Sequence, residues 1–201
     1  MLHPDTILKF INPDIGHGVF ATNYIPKGTL TWVCNELDML YSLPEINAFN
    51  EDEKNARMTH CYRNNKGQYV YSTDNARYVN HSSDPSCMLT AYQVEIAIRD
   101  IHPGDQLTVD YGTLNIIEPF ECLPEPGIER CIIYPDDLLR YHEVWDKKLI
   151  SAFKQYNRVT QPLSVLLTEE QKRKFAEIAE GHIKMSSILS CYYDETNVSY
   201  I

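Results

Sequence analysis

Short runs of apolar residues, broken by glycine and proline, characterise the first part of the chain. Within residues 9–36 these runs are rich in β-branched and aromatic residues. The pattern predicts short strands joined by turns, with a tight turn at Gly28 leading into a strand over Thr29–Val33. Strand character returns in three later segments: Gln68–Ser72, Met88–Ile98 and Gln106–Tyr111.

Residues 37–66 have a different composition. Ser42-Leu43-Pro44-Glu45 contains the residue types that open a helix, and Glu51–Met58 is polar with few β-branched residues. We therefore expect a helical insert between the strands.

Beyond Pro135 the apolar residues recur at the helical period. A first helix is predicted from residues that share one face: Leu138, His142, Trp145, Leu149, Phe153 and Tyr156. A second helix is predicted to begin with the capping-box pattern at Thr168. Its apolar face would contain Phe175, Ile178, Ala179, His182 and Met185. The predicted fold class is α+β, with small β-sheets followed by a helical C-terminal extension. We predict one unit over residues 1–113, including an insert at 37–67, and a mainly helical extension over 114–201.

Composition restricts the class of protein. The chain has 201 residues, 43% apolar and 23% charged, which suits an ordinary globular protein. Acidic residues outnumber basic ones 28 to 18, which disfavours a nucleic-acid surface and suits a cationic partner, although mild acidity alone would also fit. No basic leader, membrane-length apolar run or C-x-x-C pair is present. We expect an intracellular compartment and no membrane association; nothing indicates the oligomeric state.

Three segments contain residues suited to ligand chemistry. Gly16-His17-Gly18 allows close approach of a backbone to a ligand, although a plain turn would look the same. Asn80-His81-Ser82 carries groups that can bond a heterocycle, or it is a polar loop satisfied by the protein itself. Tyr111 ends a strand that follows a Pro-Gly turn, and it is one of 14 tyrosines, most of which serve packing.

Taken in order, these segments resemble the SET domain of protein lysine methyltransferases. Residues 15–21 and 25–29 are similar to the family's G-x-G entry, Asn80-His81-Ser82 with Pro85 to its N-H-S-x-x-P motif, and residues 105–112 to its E-E-L-T-x-D-Y-G motif. The resemblance implies a fold in which the segment ending at Tyr111 passes under the Asn80-His81 loop as a pseudoknot. It also implies methyl transfer from S-adenosylmethionine to a lysine of a basic protein or peptide, with histone tails among the candidates.

The resemblance assigns roles to individual residues. The backbone around Gly16, His17 and Gly18 would lie against the methionine part of the cofactor, Asn80 and His81 would hold the adenosine, and Tyr111 would stand beside the transferring methyl group. Val109 occupies a position where an aromatic residue often limits the number of methyl groups, so a roomier site is expected unless another tyrosine such as Tyr92 fills it.

Several departures from the family pattern matter. Ser86 replaces an asparagine, and Asn35-Glu36 replaces Gly-Glu; both leave open the alternative of a catalytically weak SET-fold protein that serves as a protein-binding module. Ser83 replaces a zinc-ligating cysteine, so we predict no metal site. Without a zinc-bearing lid, the helical tail from Pro135, with Tyr134 or Tyr141, is the expected wall of the lysine channel; the alternative is a tail that only packs on the sheets.

Overall fold

The computed structural model describes residues 1–194, in which strands dominate the first two thirds and helices the rest. The four α-helices of this part are α1 (Leu43–Ala48), α2 (Glu51–Met58), α3 (Asp137–Phe153) and α4 (Glu169–Glu180). The strands are β1 (Thr6–Asn12), β2 (Gly16–Ala21), β3 (Leu30–Val33), β4 (Met39–Tyr41), β5 (Cys61–Arg63), β6 (Tyr69–Tyr71), β7 (Asn80–His81), β8 (Cys87–Leu89), β9 (Val94–Ala97), β10 (Thr108–Val109), β11 (Phe120–Glu121) and β12 (Ile132–Ile133).

The strands form small sheets, as predicted. β1 pairs with β2, β11 with β12, and two three-stranded sheets have the orders β3-β9-β8 and β4-β6-β5, all antiparallel. The segment Met88–Ile98 is two strands rather than one, because a tight turn reverses the chain at Gln93, where φ is +61°. The Thr90 amide donates to the Val94 carbonyl and closes this turn.

The insert contains both predicted helices. Ser42 caps α1 in a capping box with Glu45, and the Asn50 side chain accepts from the Glu53 amide at the start of α2. The insert also contributes β4 and β5, which flank β6 and make the insert part of a sheet.

The helical extension packs against one face of the β3-β9-β8 sheet. The main core joins sheet residues such as Leu30 and Ile96 to Leu149 and Phe153 of α3 and Phe175 of α4. Burial of this apolar area is the main force holding the extension to the sheet. The predicted division at residue 113 stays a prediction, and the last part of the proposed extension, residues 195–201, lies outside the described residues.

The helix ends differ from the sequence prediction. α3 ends at Phe153, and Tyr156 lies in a separate short 3₁₀ turn. α4 ends at Glu180, because Gly181 adopts the left-handed conformation that terminates helices, with φ of +77°. His182 and Met185 therefore lie beyond the helix, although Met185 still reaches the main core.

One parallel contact brings distant parts of the chain together. β7 and β10 pair in parallel, with Thr108 opposite Asn80 and Val109 opposite His81. Beneath them lies a second apolar core that includes Val19, Val79 and Leu107. No helix within residues 1–194 has both the length and the apolar character required to cross a bilayer.

Candidate active site

The Asn80-His81 loop holds Tyr111 by two hydrogen bonds. The Tyr111 amide donates to His81 Nδ1 at 3.1 Å, and the Tyr111 hydroxyl donates to the Val79 carbonyl at 2.9 Å. The two rings of His81 and Tyr111 are also in contact, with centroids 5.4 Å apart. The phenol is therefore fixed in direction, and its oxygen retains lone pairs because its own proton is engaged with Val79.

Tyr111 lies between two cavities. The larger has a volume of about 1000 Å³ and is lined by Asn80, His81, Gln106 and Phe120 among others. The smaller has a volume of about 240 Å³ and is lined by residues that include Trp32, Tyr62, Tyr69, Glu95 and Val109. Tyr111 is in the lining of both, so a group that reaches the phenol from one cavity lies close to a group that reaches it from the other.

The glycine-containing strand β2 is connected to the same loop. The Asn80 side-chain amide donates to the His17 carbonyl at 3.0 Å. Gly18 has no room for a side chain, because a Cβ atom there would come within 2.7 Å of Ile11 and 2.8 Å of the Gln106 amide nitrogen. Gly16, His17 and Gly18 are not themselves among the cavity-lining residues, but their neighbour Ile15 borders the larger cavity.

Burial sets the ionisation of the central groups. It raises the pKa of Tyr111 to about 12, with a smaller contribution from the negative charge of Glu95, so the phenol stays protonated near neutral pH. Burial lowers the pKa of His81, so its ring is neutral near neutral pH and its Nδ1 atom can accept the hydrogen bond from the Tyr111 backbone amide. Both groups therefore act through hydrogen bonds rather than through charge.

The chain beyond Tyr111 closes the site. The Glu125 carboxylate accepts from the Ser82 hydroxyl at 2.6 Å and from the Ser83 amide at 2.7 Å. Phe120 packs against the rings of His81 and Tyr111, with centroid separations of 5.4 and 6.1 Å. Residues 118–130 are thus fastened to the Asn80-His81-Ser82 loop by a carboxylate and an aromatic ring.

The chain that directly follows Tyr111, rather than the helical tail, lines the smaller cavity. Residues 114–117 line the smaller cavity beyond Tyr111, whereas Tyr134 and Tyr141 border neither of the two cavities. Tyr141 instead lies under the Arg130 guanidinium, 4.9 Å from ring centre to Cζ. The apolar face of the tail packs in the main core, which agrees with the alternative of a tail that only packs on the sheets.

The position of the replaced cysteine is filled by polar contacts. The Ser83 hydroxyl donates to the Arg130 carbonyl at 3.2 Å and lies 3.8 Å from the Cys122 sulfur. Within residues 1–194 no three histidine, cysteine or acidic side chains are grouped so that they could hold a metal ion.

The remaining departures have local explanations. The Ser86 hydroxyl accepts from the Thr108 amide at 3.0 Å, so serine at this position supports strand β10 directly. The Asn35 side chain accepts from the Leu37 amide at 2.9 Å and closes the turn after β3. Tyr92 does not fill the space beside Val109, because its ring packs against Phe175 in the main core. Tyr62 and Tyr69, which the sequence did not single out, border that space instead.

Comparison with known proteins shows what the central segment is similar to. Residues 16–112 match the profile of the SET domain. A curated relative, the Variant-silencing SET domain-containing protein of Plasmodium falciparum (isolate 3D7), is 27% identical over 124 residues, with 54% of this chain and 5% of the relative covered. The chain thus spans about one twentieth of that relative's length. A Plasmodium falciparum protein, named in its crystal structure as a candidate histone methyltransferase, aligns with 55% of this chain and 95% of its own chain. The sequence identity is 17% and the TM-score is 0.41.

Proposed function

Residues 16–112 are a SET domain, a domain of protein methyltransferases, and from this premise we propose that the protein transfers a methyl group from S-adenosylmethionine to a lysine side chain of a basic protein. The observation that carries the proposal is the position of Tyr111, which lines both the larger and the smaller cavity. Transfer between two bound molecules requires such a meeting point, because the reacting atoms must be aligned.

The larger cavity suits the cofactor. Its volume, about 1000 Å³, is at the upper end of the range that small-molecule sites occupy. Asn80 and His81 offer an amide and an imidazole to the adenosine, and Phe120 offers an aromatic face. In the proposal the backbone of Gly16, His17 and Gly18 lies against the methionine part of the cofactor, next to Ile15, which borders this cavity. When bound, the cofactor supplies a methyl group on a positively charged sulfur.

The smaller cavity suits a side chain rather than a whole cofactor, since its volume of about 240 Å³ is below that range. In the proposal a lysine enters it and places its nitrogen near the Tyr111 oxygen. The phenol, fixed by Val79 and His81, aligns the reacting groups and favours the positive charge that spreads over them. Burial of the ammonium next to the positively charged sulfur lowers the pKa of the ammonium, so a proton can pass to water before transfer.

The net charge supports the proposed substrate class. The chain carries a formal net charge of −10, which favours encounter with a basic protein or peptide. Histone tails are a candidate of this kind. We also propose an intracellular location, with no direct binding of nucleic acid or membrane. The competing hypothesis is a SET-fold module that binds protein without turnover. The serine at position 86, one of the departures that favoured it, supports β10 through a hydrogen bond from the Thr108 amide.

Labelled methyl transfer tests the proposal. The protein is incubated with methyl-labelled S-adenosylmethionine and a cell extract, and the modified residue is identified by mass spectrometry. We expect label on lysine. The label should be strongly reduced in Tyr111→Phe and unchanged in the control Tyr156→Phe, which alters a tyrosine of the main core. Binding of the cofactor with no transfer to any extract protein would favour the non-enzymatic module.

A further inference from the structure

Glu95 is an acidic residue in the interior of the central sheet. It lies on β9, the middle strand, opposite Trp32 on β3 and Leu89 on β8. Its neighbours Val94 and Ile96 are fully buried in the main core. Because side chains alternate along a strand, Glu95 faces the opposite side of the sheet, where it borders the smaller cavity with Tyr111.

Within residues 1–194 the Glu95 carboxylate has no hydrogen-bond or ion-pair partner. Two other groups of the same cavity are also unsatisfied, since the buried Trp32 Nε1 and Tyr62 hydroxyl lack partners within that part of the chain. Buried polar groups are nearly always hydrogen-bonded, so the two unsatisfied groups beside the half-buried Glu95 carboxylate indicate that something else binds there.

The missing group should be a cation with hydrogen-bond donors. A carboxylate in an aromatic cavity is costly unless it is paired, and the surrounding rings of Trp32, Tyr62 and Tyr69 favour a positive charge as well. The two guanidinium groups of the cavity wall point elsewhere: Arg77 donates to the Thr73 carbonyl at 2.8 Å, and Arg63 donates to the Asn115 carbonyl at 3.2 Å.

We infer that the Glu95 carboxylate binds the cationic end of the side chain that enters the smaller cavity, and so positions the substrate nitrogen beside Tyr111. This inference rests on the proposed function, since it names the group that recognises the lysine. Glu95 is a positioning and specificity residue: it selects an ammonium over a neutral side chain of similar length. The apolar alternation of β9 supplies no structural reason for an acid at this position.

Binding should depend on pH, because only the ionised carboxylate pairs with a cation. Burial raises the pKa of Glu95 to about 7; Asp74 raises it further, and the Met1 amino group opposes the shift. The other titratable or charged groups around the cavity are His60, Cys61, Tyr62, Arg63, Tyr69, Arg77 and Tyr111. Recognition should therefore be complete near pH 8 and weaken as pH falls through about 7.

The kinetic experiment compares Glu95→Gln, Glu95→Asp and the matched control Glu143→Gln, an exposed position on α3. We expect Glu95→Gln to raise KM for the protein substrate roughly 10- to 100-fold, as loss of a charge-assisted hydrogen bond does. It should also lose the acidic limb of the pH profile, with unchanged affinity for S-adenosylhomocysteine. Glu95→Asp should recover part of the loss. A wild-type KM and pH profile in Glu95→Gln would overturn the inference while leaving the methyltransferase proposal intact.

A second experiment does not need turnover. Calorimetric titration with n-butylammonium at pH 8 should show binding to the wild-type protein that is absent with n-butanol, weaker at pH 6 and lost in Glu95→Gln. Equal affinity for the amine and the alcohol in the wild-type protein would refute the inference even if the variant failed to fold. Butylammonium binding that depends on Glu95, in a protein without methyl transfer, would support the cation site and remove the proposed function.

Discussion

Replacing Glu95 with glutamine should stabilise the protein at alkaline pH. Burial raises the pKa of Glu95 from 4.5 to about 7, so the folded protein holds an unfavourable charge whenever that group is ionised. One pKa unit corresponds to about 1.4 kcal/mol, so the full penalty is roughly 3 kcal/mol. Glutamine has nearly the same shape and no charge. We therefore expect Glu95→Gln to gain up to roughly 3 kcal/mol of unfolding free energy at pH 8.

The sign of the pH dependence follows from the raised pKa. Between pH 4.5 and 7 the unfolded chain loses this proton before the folded protein does, so wild-type stability falls as pH rises through that window. At pH 5 the difference between variant and wild type should shrink to under about 1 kcal/mol. A gain in stability combined with a loss of substrate recognition is common where an active-site group is strained.

Urea unfolding at pH 5 and at pH 8 measures the difference in unfolding free energy between Glu95→Gln and wild type at each pH. The control Glu143→Gln removes the same charge from an exposed position and should change the free energy of unfolding by less than about 0.5 kcal/mol at either pH. A Glu95→Gln variant that is less stable than wild type at pH 8, or whose difference from wild type does not vary with pH, would contradict an unfavourable buried charge at Glu95. It would mean that the carboxylate is paired within the protein.

Three further substitutions test other parts of the account. Tyr111→Phe should lower the single-turnover rate of transfer by about 10²- to 10³-fold and leave calorimetric cofactor affinity nearly unchanged; a normal rate would remove the phenol from the mechanism. Val109→Phe should reduce the smaller cavity and shift the products seen by mass spectrometry toward fewer methyl groups, and an unaltered product ratio would contradict this. Arg130→Ala should cost about 3–5 kcal/mol in urea unfolding, because it leaves the buried carboxylates of Asp110 and Asp137 unpaired. A loss below about 1 kcal/mol would show that those carboxylates find other partners.

Local sequence signals predicted much of the fold. Turn glycines, the Ser42 capping box and the apolar period of α3 each depend on neighbouring residues, and the corresponding elements are present. The end of α4 also had a local signal, since Gly181 is the residue type that most often terminates a helix, yet the apolar period continued past it and misled the prediction.

The site depends on contacts that local patterns do not contain. The parallel pairing of β7 with β10 joins residues 28 positions apart, and only the family resemblance indicated it. The alternation of side chains along β9 shows that Glu95 faces away from Val94 and Ile96. It does not show that the face with Glu95 borders a cavity. The bond from Glu125 to Ser82 spans 43 positions and follows no sequence period.

A crystal structure with S-adenosylhomocysteine tests the central claim most directly. We expect the ligand in the larger cavity, with its adenosine against Asn80 and His81 and its sulfur directed at Tyr111. Density for the ligand in another part of the molecule, or a sulfur turned away from the smaller cavity, would contradict it.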